Sequence, residues 1–177
     1  MVNNLRDRLT NSLGISEIRD ICRSVAYDRE AVEQIFDLFH DADRRVAGNA
    51  AWVATHLDAE AVVSAQSRQN ELITLAMQAT DNVTLQRLTL NILEKQTFTF
   101  DNLRADFLDF CFEQMMSASA TNGIRSLCIK LAYFQCVTNN ELLRELAHYI
   151  DLLTQTDLPP ALQCAVRKVK LKMPRHF

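Results

Sequence analysis

Apolar positions along the chain fall into two alternating kinds of segment, both at helical spacing. One kind is a nonapeptide that returns four times: VAGNAAWVA from Val46, LQRLTLNIL from Leu85, IRSLCIKLA from Ile124 and LQCAVRKVK from Leu162, starting 38 or 39 residues apart. Its first place holds Val46, Leu85, Ile124 and Leu162, its fourth Asn49, Leu88, Leu127 and Ala165, and its eighth Val53, Ile92, Leu131 and Val169. Places one, four and eight share one face of an α-helix. The other kind carries adjacent apolar pairs that recur four residues later: Ala31/Val32, Ile35/Phe36 and Phe39; Leu72/Ile73 and Ala76/Met77; Phe107/Leu108, Cys111/Phe112 and Met115; Leu142/Leu143, Leu146/Ala147 and Ile150. Pairs at that interval make a broad buried stripe. Two amphipathic helices in each period of about 40 residues predict stacked helix pairs, none of which buries its apolar face alone.

The remaining sequence is parsed by this pattern. Residues 1–27 are expected to form an N-terminal helical cap, with Ile15, Ile18, Cys22 and Val25 at helical spacing and Ser16 as its N-cap. Residues 28–173 then hold four helix pairs and 174–177 a tail, in a single domain. Asp28, Asp43, Asp81 and Asp157 stand where helices should begin, and Thr138 with Glu141 has capping-box spacing. Pro159 and Pro160 suit the opening turn of the last helix, and Pro174 follows its end. The segment QTFTF, 96–100, alternates like a strand but is short and isolated, so it is expected to be a loop that buries Phe98 and Phe100.

Composition narrows the picture. Three Gly and three Pro in 177 residues are too few turn-formers for a many-stranded β fold, and 48% hydrophobic residues suffice for a substantial core. The longest run without a charge is the twelve residues Val46–Leu57, so no membrane span or export signal is expected, and the cytoplasm is the expected location. Five cysteines without a CxxC pair read as small buried hydrophobes in a reducing compartment. His40, His56, His148 and His176 are scattered; His40 with Asp41 and Asp43 reads as helix capping rather than a metal site, and no metal or cofactor is expected. No GxSxG elbow and no phosphate-binding glycine loop is present, so an enzyme is not expected.

The four nonapeptides and their partner helices resemble HEAT and armadillo-type repeats, over residues 28–173. The resemblance implies an all-α fold, a right-handed α-α superhelix of about four helix pairs plus the N-terminal cap. With Ala50-Ala51-Trp52 in its first repeat, the chain is also similar to a group of small bacterial HEAT-like proteins, some of which carry the label adenylosuccinate lyase. The SSxMPxKxN-type loop that such a lyase requires is missing here. Similar solenoids act mainly as protein-binding scaffolds, which the resemblance implies for this chain.

Charge sharpens that expectation. The second helices of the four pairs sum to +9 and the first helices to −8. In HEAT-like stacks the second helices line the concave surface, so the resemblance implies a basic inner face that attracts an acidic protein or peptide. Candidate contacts are the polar places of the nonapeptide, Gln86, Arg87, Asn91, Arg125, Lys130, Gln163 and Lys168, with Trp52 as an aromatic anchor. The competing readings are solvated or mutually paired charges and a Trp52 covered by the N-terminal helices. The C-terminal run VRKVKLKMPRHF has five Lys/Arg and no acid, which makes a nucleic-acid-binding HEAT-like protein, of the DNA-glycosylase-like class, the alternative function. The same run reads as a docked, basic-faced capping helix.

Overall fold

The computed structural model describes residues 2–99, 101 and 103–174, so Phe100, Arg175 and His176 lie outside the described residues. Among those residues it contains eleven α-helices, one 3₁₀ turn and no strand. The chain divides into two compact units, Met1–Gln96 and Thr97–Phe177.

The first unit begins with two helices in the region expected to be a helical cap, α1 (Val2–Leu9) and α2 (Ile15–Val25). Gly14 is the N-cap of α2, not Ser16, and the Glu17 carboxylate accepts its backbone N–H. The buried stripe of α2 is Ile18, Ile21 and Val25; Ile15 is exposed and Cys22 half-buried, a rotation of about one position from the spacing read in the sequence. Helix α1 packs on α4 (Arg44–Ala54) through Leu5 and Leu9. It is pinned there by polar contacts. Asn49 Nδ2 donates to the carbonyls of Leu9 (2.8 Å) and Asn11 (2.9 Å), which end α1 without partners of their own. Arg6 grips Asp41 with two bonds, 2.6 and 2.9 Å, and that guanidinium holds the Asp41 carboxyl below the usual carboxylate range. A polar residue at a place predicted to be apolar thus works as a helix-end clamp.

Helix α3 (Arg29–Asp37) and the 3₁₀ turn Leu38–His40 bury Val32, Ile35, Phe36 and Phe39, as their pattern predicts, and lie against α4. Asp28 and Asp43 cap α3 and α4 through the backbone N–H groups of Ala31 and Arg45. The second repeat then departs from a simple pair. An additional helix, α5 (Ala59–Ser67), precedes α6 (Gln69–Gln78) and α7 (Val83–Glu94). Its buried residues Ala61 and Ala65 are too small to stand out as an apolar stripe, which hid it in the sequence. Arg68 joins α3 to α6 by bonding Glu33 (3.0 Å), Asp37 (2.7 Å) and Glu71 (3.3 Å), with its guanidinium 5.9 Å from the centre of the Phe36 ring. Asn82, not Asp81, caps α7; Asp81 instead pairs with Arg44 at 2.6 Å.

The second unit is α8 (Ala105–Met116), α9 (Asn122–Cys136), α10 (Asn140–Thr154) and α11 (Pro160–Lys172). Helix α9 is its centre, packed against α8, α10 and α11. Thr121 caps α9, Asn139 rather than Thr138 caps α10, and Pro159 rather than Asp157 precedes α11. Residues 96–99 of the QTFTF segment are a loop. Phe98 is half-buried and its ring stacks near Phe107 (6.3 Å) and Phe134 (6.5 Å). Gln96 is buried and donates to the Ala65 carbonyl at 2.6 Å within the first unit. Burial pushes the Cys111 thiol well up and the Cys136 thiol up to about 12, so both stay protonated and pack as hydrophobes.

Candidate partner-binding surface

The nonapeptides occupy equivalent helices, α4, α7, α9 and α11. Their first places are all buried, as are their eighth places, Val53, Ile92, Leu131 and Val169. Place five is buried in all four copies (Ala50, Thr89, Cys128, Val166), a regularity masked in the sequence because the residue type changes from copy to copy. Place six separates the copies. Ala51, Leu90 and Ile129 are fully buried, whereas Arg167 in α11 is exposed, and at place nine Leu93 and Ala132 give way to exposed Lys170. Helices α4, α7 and α9 are therefore covered at place six, whereas α11 keeps a charged side there. Much of the C-terminal basic run is this charged side. Lys170 pairs there with Asp151 at 3.0 Å.

Two expected contact residues are structural. Gln86 is buried, and its Nε2 donates to the Ala76 carbonyl at 3.0 Å, near the end of α6. Arg125, at the same place two in α9, donates through Nε to the Met115 carbonyl at 3.1 Å, near the end of α8. In these two pairs the second helix thus clamps the last turn of its first helix, ten residues back in both cases. Such carbonyls have no partner within their own helix. Gln163, at place two of α11, donates to Leu158 at 2.7 Å. This short range to a main-chain oxygen is the signal for structural glutamines, and it cannot be read from residue type.

Within each unit, places seven and eleven of the second helices, one helical turn apart, make a strip of half-buried and exposed side chains. In the first unit it holds Trp52 and His56 on α4 and the turn after it, then Asn91 and Lys95 on α7 and its C-cap. Trp52 and Asn91 are half-buried, His56 and Lys95 exposed. The Trp52 ring lies edge-on to His56 at 6.3 Å, so the N-terminal helices do not enclose it completely. Arg87 is exposed at place three of α7. In the second unit the strip holds Lys130 and Phe134 on α9, both half-buried, and Lys168 and Lys172 on α11, both exposed. No acidic residue occupies places seven or eleven of any copy.

The charge of this strip is uneven between the units. Helices α9 and α11 pack together and carry Arg125, Lys130, Arg167, Lys168, Lys170 and Lys172 without one Asp or Glu. Helices α4 and α7 carry Arg44, Arg45 and Arg87 against Glu94, and Arg44 is already engaged by Asp81. Among the described residues no group of three His, Cys, Asp or Glu side chains is placed to hold a metal ion, and no helix is long and apolar enough to cross a membrane.

Searches of curated proteins and of solved structures return no match. A scan of protein families aligns residues 5–173 with the HEAT repeat domain. That range takes in all four nonapeptide helices with their shared buried places, and the chain belongs to the HEAT repeat family.

Proposed function

We propose that this HEAT repeat protein is a non-enzymatic scaffold that binds an acidic protein or peptide segment along the solvent-facing strip of its second helices. The observation that carries the reading is the α9–α11 layer, with six basic residues and no acidic one. Its positive field attracts carboxylates and raises their local concentration. Lys130 and Lys168, at the same place on neighbouring helices, are the central contacts; Trp52, Asn91 and Arg87 make the corresponding contacts in the first unit. Arg125 leaves the contact set because it is half-buried, with its Nε turned to the Met115 carbonyl.

The test is fluorescence anisotropy of the full chain with a labelled poly-glutamate peptide, in parallel with a labelled single-stranded DNA. The peptide should bind, more weakly as salt rises, and the pair Lys130→Glu/Lys168→Glu should weaken it by at least about tenfold. A thermal midpoint unchanged by the substitutions would place the loss at the surface. Tight, salt-dependent binding of the DNA with the peptide inert would overturn the reading in favour of nucleic acid.

A further inference from the structure

The strip is not only positive. In the second unit it sets the half-buried Phe134 ring beside a lysine from the next second helix. In the second unit Lys172 Nζ lies 5.6 Å from the centre of the Phe134 ring, and the Tyr133 hydroxyl donates to the Lys172 carbonyl at 3.2 Å, tying the ends of α9 and α11 together. In the first unit Lys95 Nζ donates to the Thr55 carbonyl at 3.1 Å, at the end of α4, the helix that carries Trp52. Lys95 and Lys172 hold the same place eleven, and each leans back onto the preceding second helix. The backward lean of the place-eleven lysine recurs in both units, and in the second unit it brings the ammonium over a ring.

A purely electrostatic binding face has no use for the ring. Exposed charge pairs contribute little each and are screened by salt, whereas an aromatic ring with an apolar body and an accessible edge gains affinity from stacking and from burying a partner side chain. Interface anchors are drawn from that residue class, with charged groups at the rim. The lysine aliphatic stem adds further apolar area beside the ring while its ammonium stays in water.

Resting on the acidic-partner reading, we propose that the strip selects acidic segments that carry an aromatic side chain between their carboxylates. The aromatic side chain packs on Phe134 in the second unit or Trp52 in the first, and the flanking carboxylates meet Lys168 and Lys172, or Lys95. Spacing of one helical turn between Lys168 and Lys172 matches carboxylates on successive turns of a bound helix.

Two labelled glutamate-rich peptides, identical except for Trp or Ala at the centre, distinguish this from plain charge attraction in the same anisotropy assay with the full chain. The Trp peptide should bind at least about tenfold tighter. Phe134→Leu and Lys172→Gln should each shrink that advantage while leaving the Ala peptide's weaker binding in place. Because Phe134 also stacks with Phe98 and Tyr133, Trp52→Leu is the parallel variant in the other unit, and thermal unfolding of each variant is recorded. Equal binding of the two peptides, or an advantage untouched by all three substitutions, overturns the aromatic selectivity and leaves acidic binding standing. Failure of both peptides to bind overturns the acidic-partner reading and this inference with it.

Discussion

Ile129→Arg is expected to abolish cooperative folding of the second unit, although the same place of the repeat holds an arginine in the native protein. Ile129 is fully buried at place six of α9, the helix enclosed by α8, α10 and α11. Arg167 is exposed at place six of α11. An unpaired charge in the buried setting costs about 3–5 kcal/mol, added to the lost packing of the isoleucine. Set against a whole-domain stability of about 5–15 kcal/mol, that removes most of what holds the unit together. Arg167→Leu, by contrast, should change stability by no more than about 0.5 kcal/mol, as surface substitutions do. Urea denaturation followed by circular dichroism reads both. An Ile129→Arg protein with a normal transition would contradict the central position of α9.

Phe107→Ala should produce the second-largest loss, about 3–5 kcal/mol, typical of removing a fully enclosed ring. Phe107 has no exposure, and its ring lies 6.3 Å from that of Phe98 and 6.1 Å from that of Phe110. Deleting it opens a cavity between α8 and the loop that follows Gln96, and two rings lose a stacking partner at once. Phe98→Ala should cost distinctly less, since Phe98 is only half-buried. Equal losses for the two substitutions would mean that the loop, rather than α8, supplies the core of this region.

The repeat was legible because its buried places recur at nearly constant spacing with residues of one chemical kind. Places one and eight are Val, Leu or Ile in every copy, and all eight of those side chains are buried. Helix α5 was hidden because alanine gives little hydrophobic contrast, and the helix starts slipped by a residue or two wherever several capping residues stand together, as at Asp81/Asn82 and Thr138/Asn139. Helix-by-helix summation of charge does not register which of those charges are engaged locally. Arg44 and Lys170 belong to second helices yet pair with Asp81 and Asp151, and Arg125 keeps its charge but turns its Nε to the Met115 carbonyl. Conversely, the contact of Lys172 with the Phe134 ring stayed unseen because both stand at place eleven, beyond the nonapeptide. His56, Lys95, Phe134 and Lys172 share no chemistry that a repeat search would register.

Thiol labelling of single cysteines at neighbouring places tests the stacking most directly. In a Cys22→Ser/Cys164→Ser background, which leaves only the three buried native thiols, cysteine is placed in turn at Asn91, Lys130 and Lys168 and at Ile92, Leu131 and Val169. The first three should react within the time of a free thiol, and the second three only on the time scale of unfolding. Comparable reactivity at Lys130 and Leu131, or protection at Lys168 with reaction at Val169, would show that positions 38 or 39 residues apart are not equivalent, and both the fold account and the binding strip built on it would fail.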